Sequence, residues 1–195
     1  MHHSFARAVS ILGHPMLVLP FAALALTLSR GQTRTALGMA LGFATFAAMV
    51  MAYSTWQVKR GHWSHVDASN AGERHSLNRF LLVSLLASTA LAATFGHSRE
   101  LVLGLGLSAA MVAIAMLTAR WWKLSLHMAF VVFASCLLWF AASWWVGLIA
   151  LAFAALVAWS RLALQRHVPR DVVAGMATGA WAGVVFAAFC MPGTP

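Results

Sequence analysis

Seven apolar stretches fill most of this chain, running approximately from Ile11 to Leu28, Ala36 to Trp56, Phe80 to Phe95, Leu101 to Leu117, Leu126 to Phe140, Trp144 to Trp159 and Val172 to Cys190. A bilayer-crossing helix needs about 20 mainly apolar residues, and the shorter stretches reach that length by taking a turn from their flanks. Hydrocarbon offers backbone N–H and C=O groups no partner, so such segments fold as helices that satisfy themselves. The expected fold is all-α: a polytopic transmembrane helix bundle of about seven (six to seven) spans, in one integral-membrane domain covering residues 1–195. Composition agrees, with 62% hydrophobic residues, 9% charged and a mean hydropathy of +0.81, outside the usual range of soluble domains. Pro15 and Pro20 are expected to kink the first span, which neighbouring helices tolerate. Trp56, Trp63, Trp121, Trp122, Trp144, Trp145 and Trp159 gather near span ends, where indole rings favour the head-group level.

Charge is scarce and unevenly placed. Thirteen Lys+Arg against four Asp+Glu give a net +9, which suits anionic lipid head groups, phosphate-bearing substrates or cytoplasmic loops. No nucleic-acid partner is expected, because binding one needs a folded basic surface in water and little of this chain is aqueous. Cys136 and Cys190 lie in apolar runs without CxxC or His-rich spacing; they read as small buried hydrophobes and point to neither a disulfide nor a metal. The start, MHHSFARAVS, leads into an apolar run without a small-x-small pattern, so no cleavable signal is expected.

Threading seven spans sorts the loops onto two sides. The N-terminal side receives ten of the thirteen basic residues: Arg7, Lys59, Arg60, Arg74, Arg79, Arg120, Lys123, Arg161, Arg166 and Arg170. Asp67, Glu73 and Asp171 fall there too, with His62, His65, His75, His127 and His167, whereas the other side receives Arg30, Arg34, Arg99 and Glu100. Every polar cluster capable of chemistry is thus expected at one membrane face. A hydrophobic anchor has no need of that arrangement; an active site at a membrane surface does.

Three clusters carry the chemistry. The first is SRLALQRHVPRD, residues 160–171, which reads SR-x5-H-x3-D. If a helix begins there, His167 and Asp171 stand four apart on one face; the carboxylate then accepts the Nδ1 hydrogen and leaves Nε2 free as a nucleophile. Pro169 is compatible with a first helical turn, and Asp171 stands where a carboxylate favours a helix N-terminus. The second is KLSLH, Lys123 to His127, where a histidine at a helix start can protonate a leaving oxygen while its neighbours hold a phosphate. The third is the long polar loop from Gln57 to Arg79, in which Asp67 and Arg74 stand seven apart and arginine offers a planar fork suited to phosphate oxygens. Taken singly, each cluster has an ordinary alternative: the first and third as solvated basic loops near span ends, the second as an interfacial histidine beside a snorkelling lysine.

In this order, the three clusters resemble the type 2 phosphatidic acid phosphatase (PAP2) superfamily of integral-membrane lipid phosphatases. The resemblance covers roughly Lys59 to Cys190, implying a PAP2-like core of about residues 57–191 preceded by two N-terminal spans. It implies that His167 attacks phosphorus to form a phosphohistidine, that Asp171 orients it, and that His127 protonates the leaving group. Arg161 and Arg74 would neutralise phosphoryl oxygens and Ser125 would add a hydrogen bond. No metal or cofactor is implied, because arginine and lysine supply the positive charge. Two departures stand out. The family's PSGH is LSLH here, with Leu124 for proline and Leu126 for glycine, and its K-x6-RP is Asp67-x6-Arg74-His75. Lys123 or Lys59 would supply the missing charge, with Asp67, Arg79 and Ser160 as accessory residues. A bacterial branch of the superfamily has an S-L-H second motif, an acidic residue at the lysine position and two spans inserted between the first and second motifs; this chain is similar to that branch.

The implied function is hydrolysis of a phosphomonoester or diphosphate of a membrane lipid, such as phosphatidic acid, phosphatidylglycerol phosphate or a polyprenyl (di)phosphate, in a bacterial inner membrane. Two alternatives stay open: a lipid phosphotransferase using the same site, and a non-catalytic lipid-binding or transport protein, which has no obvious reason to keep His127, Arg161, His167 and Asp171 together. The ten-to-three basic bias places the site on the cytoplasmic face, and removing the expected phosphate ligands Arg74, Lys123 and Arg161 still leaves seven against three.

Overall fold

Capping side chains divide the apolar sequence into helices. Ser98 Oγ accepts a hydrogen bond from the Leu101 N–H at 3.3 Å, and Ser143 Oγ accepts one from the Val146 N–H at 3.4 Å, each starting a helix. Asn70 and Glu73 form a reciprocal capping box at the start of another, satisfying N–H groups that an α-helix leaves without internal partners. The computed structural model describes residues 2–66, 68, 70–141 and 143–190. Among these residues it has eight helices and no strand: α1 (His2–Leu12), α2 (Pro15–Ser29), α3 (Thr33–Lys59), α4 (Ala71–Thr94), α5 (Arg99–Thr118), α6 (Leu126–Ala141), α7 (Trp144–Ala163) and α8 (Pro169–Cys190). The protein is a polytopic all-α bundle.

Helices α3, α4, α5, α7 and α8 are long and apolar enough to cross a membrane, and α1 with α2, bent by 50°, forms a sixth candidate. The expected fifth span is α6, a helix of 16 residues, about 24 Å at 1.5 Å per residue and so shorter than a hydrocarbon core. Its length is explained by its position: α6 is the buried centre, packed against α2, α7 and α8 and touching α5. Large apolar side chains on the outer helices, such as Leu41, Val83, Ile149 and Val184, are exposed, as lipid-facing residues are.

The close packing around α6 follows from glycine. Gly175, Gly179 and Gly183 recur every four residues along α8, and a Cβ at these positions would stand 2.4 Å from the Ser125 carbonyl oxygen, 2.2 Å from that of Ala129 and 2.4 Å from the Cys136 Cβ. Only glycine lets the two backbones approach this closely. Met128, Val131 and Val132 of α6 join Val9, Ala154, Val157 and Val172 in one buried cluster, and Met111, Phe130, Phe133 and Phe186 anchor a larger one toward α4 and α5.

Several sequence expectations are sharpened or corrected. The first span bends by 50° at Gly13 and His14, directly before Pro15, the first residue of α2, as expected for one of its two prolines; Pro20 lies inside α2 without ending it. At Gly13 an added Cβ would meet Val157 at 2.6 Å, so the bend seats α1 on α7. The polar loop after α3 is shorter than expected, because the capping box starts α4 at Ala71 and carries Arg74, His75 and Arg79 onto that helix. Trp63, expected near a span end, is buried against Tyr53, ring centroids 5.6 Å apart.

Candidate active site

The turn between α7 and α8 builds the first part of the site. Two hydrogen bonds close α7, from the Gln165 N–H to the Leu162 carbonyl at 2.9 Å and from the Arg166 N–H to the Arg161 carbonyl at 3.0 Å. Gln165 takes φ +51°, the left-handed conformation that ends a helix and reverses the chain. Helix α8 then begins at Pro169, and the carboxylate of Asp171 reaches back so that Oδ2 accepts from the Val168 N–H at 3.3 Å, one half of a capping box. The same Oδ2 lies 3.5 Å from His167 Nδ1, with the two side chains only 7% and 6% exposed. His167 therefore precedes the helix and does not share a helical face with Asp171; the pair meets because the capping carboxylate turns toward it.

The connection from α5 to α6 is tied to this turn. The Ser125 N–H donates to the Asp171 carbonyl at 3.1 Å, and Lys123 Nζ donates to the Arg166 carbonyl at 3.0 Å. Ser125 is fully buried, and His127 follows on the first turn of α6. Arg161 enters from the last turn of α7. Its Nη1 donates to Ser10 Oγ of α1 at 2.8 Å, and the His14 ring meets the His127 ring edge-on with centroids 5.1 Å apart. The N-terminal segment, expected to lie outside the catalytic core, thus contributes Ser10 and His14.

Among the described residues, four buried side-chain atoms have no hydrogen-bond partner: Ser125 Oγ, Arg161 Nε, His167 Nδ1 and Asp171 Oδ1. All four belong to this cluster. Leaving a buried polar group unmade costs about 1–3 kcal/mol, so their concentration at one place identifies unspent hydrogen-bonding capacity there. The nearest cation to Asp171 Oδ1 is Arg170 Nε, at 3.8 Å on an exposed side chain.

Electrostatics favour a neutral histidine in a positive setting. Burial, and after it the charges of Arg161 and Lys123, push the His167 imidazole below its ordinary range, against the opposing pull of Asp171. Lys123 is lowered by burial and by Arg74 and Arg161, which brings Arg74 of α4 within range of the cluster. His127 lies near the Arg161 guanidinium and the His14 and His167 rings. An anion with several acceptor oxygens complements such a group, since arginine and lysine offer donors and the field favours negative charge.

The structure therefore brings together Lys123, Ser125, His127, Arg161, His167 and Asp171, with the charge of Arg74 on α4 acting on Lys123. Lys59 is an exposed last residue of α3, and Arg79 is exposed on α4 with Nη2 3.3 Å from His75 Nε2. Ser160 is buried with Oγ donating to the Val157 carbonyl at 2.8 Å, so its hydroxyl is engaged within α7. Asp67 lies outside the described residues. Glu73, not singled out in the sequence, accepts from the N–H and hydroxyl of Ser64 at 2.7 and 2.8 Å and from the Asn70 N–H at 3.1 Å, fastening the loop that precedes α4. Among the described residues no three His, Cys, Asp or Glu side chains group as a metal site. Compared with protein-family models, curated proteins and solved structures, the chain matches none.

Proposed function

We propose that the protein is a PAP2-type membrane lipid phosphatase acting through a phosphohistidine on His167. The observation that carries this reading is the set of unpartnered buried atoms on Ser125, Arg161, His167 and Asp171, in a cluster whose motif segments are hydrogen-bonded to each other. Neutral His167 attacks phosphorus through Nε2 while Asp171 faces Nδ1 and stabilises the imidazolium that forms. The bond from phosphorus to the leaving oxygen breaks, and His127 gives that oxygen a proton. Water then attacks the phosphohistidine, His127 takes the water's proton, and the P–N bond breaks to release inorganic phosphate. Arg161, Lys123, Arg74 and the Ser125 hydroxyl hold the phosphoryl oxygens. Negative charge on the arriving substrate favours the protonated form of His127 among its cationic neighbours. The ten-to-three basic bias supports a cytoplasmic-facing site, and the resemblance to the bacterial branch is the ground for proposing a bacterial inner membrane.

Phosphate release by the purified protein in detergent, with excess chelator, tests this reading across phosphatidic acid, phosphatidylglycerol phosphate and polyprenyl diphosphates. Release is expected from the wild type and should fall by about 10³-fold or more in His167→Ala, with the thermal unfolding profile unchanged. Silence across the panel from folded protein would sink the phosphatase, and release retained in the variant would remove the phosphohistidine. Phosphate appearing on an added lipid alcohol in place of free phosphate would make the enzyme a transferase.

A further inference from the structure

The phosphate cluster accounts for one end of the bundle, yet a cavity of about 680 Å³ lies beside it, walled by α2, α3, α4 and α5. We propose that this cavity receives a hydrocarbon chain of the phosphorylated lipid, so that the N-terminal helices α2 and α3 form the tail-binding half of the substrate site. The inference takes the head-group chemistry from the phosphatase reading and the chain site from the cavity itself.

The walls are apolar, with Leu19, Phe43, Phe46, Leu85, Leu105 and Val112 among them. One end abuts the catalytic cluster. Pro15 lines the cavity and directly follows His14, whose ring touches that of His127; Phe130, also lining it, stands one turn beyond His127 on α6. The other end reaches Arg34 and His97, toward the opposite polar surface, where Arg30 pairs with Glu100 at 3.2 Å. Between Arg34 and Phe46 the lining of α3 extends about 18 Å at 1.5 Å per residue, most of the depth of a hydrocarbon layer. A chain whose phosphate sits at His167 can therefore run along the cavity without leaving the bundle.

The cavity has identifiable structural causes. Tyr53 fastens α3 to α4 at the catalytic end, stacking on Phe80 with centroids 4.0 Å apart and sharing a 2.8 Å hydrogen bond with Ser76. Farther along, Gly38 and Gly42 face the cavity four residues apart, and a Cβ added at either meets nothing within 4 Å. Leu91 and Phe95 on the rim are exposed, which leaves a way in from the bilayer. A side chain added at either glycine starts into open space lined by the cavity walls.

Two measurements test the proposal. In the first, phosphatidic acid carrying a photoactivatable group within one acyl chain is irradiated with the full-length protein, and the labelled peptides are mapped. Labelling on α3 between Gly38 and Phe46 and on α4 between Leu81 and Ala92 is expected, suppressed by excess phosphatidic acid and not by phosphatidylcholine of the same chains. Labelling spread over the outer faces, or equal competition by both lipids, would mean ordinary boundary lipid and overturn the proposal. In the second, Gly38→Leu and Gly42→Leu are each assayed on a long-chain and on a water-soluble short-chain phosphatidic acid. KM for the long chain should rise about tenfold while the short-chain reaction stays within about twofold; equal effects on both substrates, or none, would remove the cavity from substrate binding. Head-group-dependent labelling without phosphate release would retain the tail site and discard the hydrolase, whereas release that is indifferent to both glycine substitutions would do the reverse.

Discussion

Glycine serves opposite purposes in the two halves of this bundle. Gly175, Gly179 and Gly183 on α8 recur every four residues and let α8 press against α6, where a Cβ would collide with backbone or Cβ atoms. Gly38 and Gly42 on α3 show the same spacing, yet an added Cβ there meets nothing. In the first half the missing side chain closes a gap; in the second it leaves one open. The closed half holds the cluster of Arg161, His127, His167 and Asp171 on helices that have little room to shift, and the open half borders the cavity. A site that must place a reacting atom within tenths of an ångström gains from rigid support, whereas a variable hydrocarbon chain does not require it.

Breaking the closed half should have the largest effect. Gly179→Ala forces a Cβ onto the Ala129 carbonyl oxygen, and the expected loss is about 3 kcal/mol of stability, read as a lowered thermal midpoint in detergent. Gly42→Ala should stay within about 0.5 kcal/mol of the wild type; equal losses from the two would erase the contrast. Next comes the reach of the closed half into α1. Ser10→Ala removes an acceptor from Arg161, and a hydrogen bond to a charged group of this kind corresponds to about a tenfold fall in kcat/KM. Ser10→Thr, which keeps the hydroxyl, should restore most of it. An unchanged rate in Ser10→Ala would leave α1 outside the site.

A smaller effect should appear in the pH profile. In the proposed reaction His167 attacks as the neutral imidazole, and its folded pKa lies below the ordinary 6.5, so kcat/KM should stay level as pH falls past 6.5 and drop only at the lower value. Lys123 contributes to that depression. Lys123→Gln should therefore raise the pKa and move the acid limb to higher pH by under about one unit; movement the other way would contradict the charge arrangement. The smallest effect is expected at Gln165, which holds a left-handed φ with a side chain. Gln165→Gly relieves that conformation and should raise stability by up to about 1 kcal/mol, provided the turn between α7 and α8 is as tight as its hydrogen bonds describe.

Much of the architecture was legible because hydrophobic runs report burial directly. The seven apolar stretches correspond to α2 through α8, and residues sorted to the same side meet, Arg30 pairing with Glu100 and Lys123 reaching the Arg166 carbonyl. Where the reading missed, local chemistry outweighed hydropathy. The Asn70 and Glu73 capping box starts α4 inside the polar stretch, and the two residues were visible at the three-residue spacing that marks such a box. The four-residue glycine spacing of α8 was equally visible, but the same spacing on α3 has the opposite environment, so the pattern alone did not say which pair of helices would close. Ser10 carried no local signal, since a lone serine gains meaning only when an arginine 151 positions away reaches it.

The sequence by itself determined that this chain makes apolar helices and that its chemistry-bearing residues gather at one end, because hydropathy and span parity depend on order along the chain. Tertiary structure alone decided that α6 would be the short buried centre, that Ser10 and His14 would join the cluster around Arg161 and His127, and that α3 would stand away from α4 and α5 to leave a cavity. Those outcomes depend on which helix surfaces fit closely in three dimensions, and lipid, being as apolar as the side chains it contacts, gives no hydrophobic preference for one helix neighbour over another.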